Sequence, residues 1–162
     1  MTAGKFKVDV SLDSTVEGQP VLRFRRRFSH DVERLWRALS EDSELSAWFP
    51  CAVRLEQQVG GIVEFRFPDE EPDQGKVLEL DPPHLLAFSW DQEVLRWRLQ
   101  PDAGGSLLML TNTIQDPAKI ANVAAGWHGC LEQLAAFLDG SAGDTGQSHE
   151  QLVRHYSQAL GQ

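Results

Sequence analysis

With 162 residues, 41% hydrophobic and 24% charged, the chain is long enough to bury about two thirds of its unfolded surface in one domain without disulfides or metals. A formal net charge of −9 opposes nucleic acid and anionic lipid, which are bound by clustered Lys and Arg. No apolar run approaches the ~20 residues that span a bilayer, and the opening MTAGKFKVDV lacks the apolar core of a secretory signal, so a cytoplasmic location is expected.

The first elements alternate. Phe6 to Val10 and Val21 to Phe28, separated by a turn region containing Gly18, read as two strands or as one strand with a ragged N-terminal partner, the second run more strongly. In that second run Leu22, Phe24, Arg26 and Phe28 share one face and Arg23, Arg25 and Arg27 the other, so alternation explains the basic cluster better than DNA does. Arg26 is the odd residue on the apolar face. A guanidinium there needs a carboxylate, a carbonyl or a ligand, and both a structural ion pair and a ligand contact fit. Ser29 is placed to cap a short helix from His30 to Leu39, with Val32, Leu35, Trp36 and Leu39 on one stripe. A second short helix follows, capped by Asp42 or Ser43, with Leu45, Trp48 and Phe49 apolar and Pro50 at its end.

From Cys51 to Thr113 the period becomes two. Val53–Leu55, Ile62–Phe67, Gly75–Leu80, Leu85–Trp90, Val94–Leu99 and Ser106–Thr113 are six short runs bounded by Gly, Pro or Asp. Connections this short favour antiparallel neighbours, and an antiparallel meander can curl. Its apolar face carries Phe65, Phe67, Phe88, Trp90, Trp97, Leu108 and Leu110. The acidic tip PDEEPDQ at 68–74 lacks the glycine and spacing of a calcium loop and reads as a solvated hairpin end. Cys51 and Cys130 have no metal-ligand spacing, so two reduced thiols are expected, with neither a metal nor a cofactor.

Asp116 to Gly140 reads as one long helix, with Asp116 as N-cap, Pro117 in the first turn and Gly140 as the stop. Ile120, Val123, Ala124, Trp127, Leu131, Leu134 and Leu138 form one stripe, and at ~1.5 Å per residue the helix can cross a whole sheet. Gly126 and Gly129 each cost about 1 kcal/mol relative to Ala. Either another backbone approaches closely there, or space is left for a ligand beside Trp127. Residues 141–147 read as a linker, and Ser148 with Gln151 is a capping box opening a last amphipathic helix over 148–162.

The stretches 34-RLWRALSEDSELSAWFP-50, 75-GKVLELDPPHLLAFSW-90, 94-VLRWRLQPDAGGSLLMLT-111 and 126-GWHGCLEQLAAFLDG-140 resemble the START-like, birch-pollen-allergen-like (SRPBCC) superfamily, and more narrowly the bacterial homologues of the activator of heat-shock-protein ATPase. The resemblance covers about residues 20 to 140 and implies an α+β helix-grip fold over 1–140. In that fold a curved antiparallel sheet of about six to seven strands has two short helices after its first strong strand, and the long C-terminal helix packs across it. It also implies a cavity between sheet and helix for a small hydrophobic or amphipathic molecule. Residue by residue, the walls expected are Phe65, Phe88, Trp90, Trp97 and Trp127, with Arg26, Asn112 and His128 as polar points. The same indoles would equally make a filled core. Two alternatives accompany the ligand-binding reading: a chaperone-associated interaction module, and a cyclase or aromatase of the polyketide type. The inward faces offer the latter no nucleophile with an evident base and no assigned catalytic residue.

Overall fold

A computed structural model describes residues 8–141 and 147–161. Eight strands form a single antiparallel sheet in the order β1-β2-β8-β7-β6-β5-β4-β3. They are β1 (Val8–Ser14), β2 (Pro20–Phe28), β3 (Ala52–Leu55), β4 (Ile62–Arg66), β5 (Asp73–Asp81), β6 (Leu85–Trp90), β7 (Glu93–Asp102) and β8 (Gly105–Thr113). The expected count of six to seven is therefore too low. The meander supplies all six of its runs, and β1 pairs with β2 along its whole length, from Val8 opposite Arg26 to Ser14 opposite Pro20. Phe6 and Lys7, read as the start of that first strand, lie outside the described residues, as does most of the linker.

Helices α1 (Val32–Ser40) and α2 (Asp42–Trp48) follow β2; α3 (Ile120–Asp139) follows β8, and α4 (His149–Ala159) comes last. Three helix starts differ from expectation. Asp31, not Ser29, caps α1, its carboxylate accepting from Arg34 N at 2.8 Å. Asp42 lies inside α2 and accepts from Leu55 N at 2.9 Å, which ties α2 to β3. Asp116 does cap, but it opens a single 3-10 turn at Pro117–Lys119 before the α-helix begins. The tighter turn suits a Pro directly after the cap, since the ring fixes φ and removes one donor. At the other end Gly140 is left-handed, with φ of 69°, and closes α3 with hydrogen bonds to Ala136 and Phe137.

The helices lie on the inner face of the sheet. Alternation in β2 puts Leu22 and Phe24 fully inside and leaves Arg23, Arg25 and Arg27 exposed. Strands β6 to β8 add Phe88, Leu95, Trp97, Leu108 and Leu110, against which Ala124, Trp127, Leu131 and Leu134 of α3 are buried. Helix α4 packs on α3 through Leu152 and Tyr156, its start fixed by the Ser148–Gln151 capping box. No helix among the described residues is long and apolar enough to cross a membrane.

Candidate functional site

Where α3 passes over the ends of β6, β7 and β8, a cleft of about 450 Å³ opens between helix and sheet. Its apolar walls are Trp90, Leu95, Val123, Trp127 and Pro50; its polar rim is Asp91, Glu93, Gln115, Asp116, Lys119, Asn122 and His149. A second cavity of about 440 Å³ adjoins it on the α4 side and shares Pro50, Gly126 and His149.

The floor is a chain of hydrogen bonds. Trp127 Nε1 donates to Asn112 Oδ1 at 2.8 Å; Asn112 Nδ2 donates to Glu93 Oε1 at 3.0 Å and to the Thr113 carbonyl at 2.8 Å; Glu93 Oε2 accepts from Gln115 N at 3.0 Å. Asn112 is buried because it stands on the inner face of β8, in register with Leu22 and Leu95. A buried amide of this kind must spend both of its donors and its acceptor, and here two of the three partners, Trp127 and Glu93, line the cleft. The indoles behind it are fixed by one another. Trp90 stacks on Phe65 at 4.3 Å and 8°, Trp127 meets Phe49 edge-on at 5.4 Å, and Trp97 stands edge-on to both Trp48 and Trp127 at 5.6 and 5.5 Å.

The alternatives left open for Gly126 separate on geometry. A Cβ built at Gly126 or at Gly129 meets no atom within 4 Å, so no backbone approach requires either glycine. Both line cavity rather than packing: Gly126 borders the two cavities and Gly129 the second. By contrast, Gly75 is demanded by contact, since a Cβ there would sit 1.7 Å from the Ser89 carbonyl oxygen.

Of the eight residues expected at the site, Trp90, Asn112 and Trp127 border the cleft. Phe65, Phe88 and Trp97 lie directly behind it, no more than 1% exposed, as the backing of the aromatic wall. Arg26 and His128 are on the opposite flank of α3. Arg26 donates to Glu132 Oε1 at 3.3 Å and to the Arg27 carbonyl at 2.6 Å, and its guanidinium lies 4.7 Å from the Phe28 ring centre. His128 Nδ1 is 2.6 Å from the Tyr156 hydroxyl. Burial pushes the His128 pKa down, with Glu132 opposing the shift, and pushes the Tyr156 pKa well up. That flank is a closed polar cluster joining β2, α3 and α4.

Several rim residues escaped sequence reading. Pro50 could have been found in the AWFP ending of α2, and Glu93 in the WDQE turn that follows Trp90. Asp91 takes a positive φ of 56°, which belongs to the turn joining β6 to β7. His149 comes from across the linker, its Nε2 2.8 Å from Asn122 Oδ1, and no spacing in the chain announces that return.

Residues 29–139 match the family model described as Activator of Hsp90 ATPase homolog 1-like protein. Among solved structures, a conserved protein of unknown function, EF2215 from Enterococcus faecalis, aligns with a TM-score of 0.81 at 21% identity, covering 99% of this chain and 94% of its own. CalU16 from Micromonospora echinospora aligns at 0.73 and 19% identity, covering 95% and 94%. DynU16, a protein of the dynemicin biosynthetic locus, aligns at 0.69 and 20% identity over 76% of this chain and 49% of its own. At such identities the likeness is one of fold. No curated protein matches the sequence.

Proposed function

From the premise that the chain belongs to the Activator of Hsp90 ATPase homolog 1-like family, we propose that it binds an amphipathic small molecule in the cleft beside Trp127. The observation that carries this reading is the unfilled space at Gly126. A long helix forgoes about 1 kcal/mol at that position with no packing reason, and what the missing side chain preserves is a cavity walled by two indoles. The rim indicates the ligand's polar end. Three carboxylates, Asp91, Glu93 and Asp116, face one lysine, Lys119, so a positively charged or donor-rich group is favoured there, with the Trp90 and Trp127 rings able to receive a cation as well. A fused-ring amine has this character.

Binding is favoured over catalysis of the cyclase type by how the rim carboxylates are engaged. Glu93 holds Asn112 and Gln115 N, and Asp116 holds Ala118 N at 3.0 Å, so both brace the chain itself. The test is native mass spectrometry of the purified full chain, combined with tryptophan quenching by the cationic dye proflavine. We expect a bound adduct or saturable quenching, lost in Gly126→Leu, whose side chain would fill the cleft. A preparation without adduct that proflavine does not quench would contradict the reading, and more strongly so if the chain captured a chaperone from lysate.

A further inference from the structure

The outer face of the sheet has a charge character opposite to that of the cleft. Five of the chain's fifteen Lys and Arg residues, Arg23, Arg25, Arg27, Arg96 and Arg98, stand there on β2 and β7. Strand β8 runs between those strands, and the register arranges four of the arginines in two rungs: Arg23–Thr111–Arg96 and Arg25–Met109–Arg98. Two residues along a strand are about 7 Å apart and two strand spacings are about 10 Å, so the four stems mark out a small rectangle. With Ser11, Met109 and Thr111 they enclose a groove of about 390 Å³ whose lining contains no carboxylate.

The rungs differ in how their charge is matched. Arg23 meets Asp13 at 3.3 Å, and Arg96 Nε donates to Glu79 at 2.8 Å. For Arg25 and Arg98 no carboxylate among the described residues comes within 4 Å. Asp9, opposite Arg25 on β1, and Asp81, at the far end of the same row on β5, share the face without forming an ion pair with them. The Asp102 carboxylate, paired with Arg27, also feels the charge of Arg25 at longer range, yet neither Arg25 nor Arg98 has an ion-pair partner of its own among the described residues. Two such guanidinium groups across a single strand repel, and an anion seated between them removes that repulsion. Guanidinium forks match phosphate oxygens in bidentate fashion, and the Thr111 hydroxyl adds a donor to the floor.

We propose that this groove binds a small molecule bearing two or more linked phosphate groups, one over Met109 between Arg25 and Arg98 and the next toward Thr111 between Arg23 and Arg96. The size of the groove and the acids at its margins, Asp13 and Glu79, favour a compact ligand. A nucleic acid or an extended acidic peptide would run across those carboxylates and onto a surface of net negative charge. The shared chemistry is the oligophosphate, whether free or carried by a nucleotide.

Calorimetric titration of the full chain with tripolyphosphate, ATP, inorganic phosphate and polyglutamate tests the assignment. Tripolyphosphate is expected to bind at one site, at least about tenfold tighter than inorganic phosphate, and to weaken by about tenfold or more in the double variant Arg25→Gln, Arg98→Gln and with added salt. ATP binding alongside tripolyphosphate points to a nucleotide as the natural source, and tripolyphosphate binding without it to a free oligophosphate; each upholds the proposal. Both arginines are exposed and unpaired, so the variant should melt within a few degrees of the parent, and the melting curve checks this. No tripolyphosphate binding, undiminished binding by the variant, equal affinity for inorganic phosphate, or tighter binding of polyglutamate would each overturn the proposal.

Discussion

Trp127 and His128 are consecutive on α3, yet the flanks they serve differ in kind. On the Trp127 flank the indole N–H, Asn112 and Glu93 form a chain that ends at a cavity open to water. On the His128 flank, Arg26 pairs with Glu132, and His128 pairs with Tyr156 of α4. Both flanks bury polar groups and both satisfy most of them. What separates them is whether bulk has been removed beside the polar groups. Gly126 leaves space next to Trp127, whereas Tyr156 returns from α4 to fill the space over His128. A buried polar cluster with its own cover is structural; one beside a maintained void can receive a ligand.

The contrast can be broken by substitution. Trp127→Ala removes a buried indole from the aromatic wall and leaves Asn112 Oδ1 without its donor, so a loss of about 3–5 kcal/mol in urea unfolding is expected, together with loss of proflavine quenching. On the other flank, Tyr156→Phe removes a hydroxyl from a buried hydrogen bond to His128 and should lower stability by about 1–2 kcal/mol, with proflavine affinity unchanged. An equal loss of affinity in both variants would erase the distinction between the flanks. Gly126→Ala has the opposite sign. Its Cβ enters open space within a helix, so the melting temperature should rise by the equivalent of about 1 kcal/mol while proflavine binds more weakly.

The smallest effect is on pH dependence. Burial holds the His128 pKa below its ordinary value of 6.5, so below that value the unfolded chain binds a proton that the folded chain resists. The stability contributed by neutral His128 is thus full above 6.5 and is lost as pH falls through the interval down to the folded pKa. His128→Asn should flatten that part of the curve of melting temperature against pH, and an unchanged slope would show that the histidine is not held neutral.

Much of the fold was legible because its signals are periodic. Alternation in β2 and in the meander, together with the stripe and both stops of the α3 region, placed these elements to within a few residues, and only the number of paired strands was underestimated. Depth was not legible. Phe65, Phe88 and Trp97 share a face with Trp90, and period two reports the face while leaving open which ring ends at a void and which lies behind another ring. Nor could spacing reveal that α4 folds back, bringing Tyr156 onto His128 and His149 onto Asn122 from 28 and 27 residues away. The carboxylates of the rim sit in turns, where no period exists to mark them. The arginines of β2 showed their alternation but not their partners on β7, because strand order, with β8 between β2 and β7, is what brings them together.

The most direct measurement follows the five indole N–H resonances of the 15N-labelled chain during a proflavine titration. The cleft assignment predicts that the Trp90 and Trp127 signals move with saturation while those of Trp36, Trp48 and Trp97 stay in place. Saturable shifts confined to Trp36, Trp48 or Trp97, or no shift in any of the five, would contradict it.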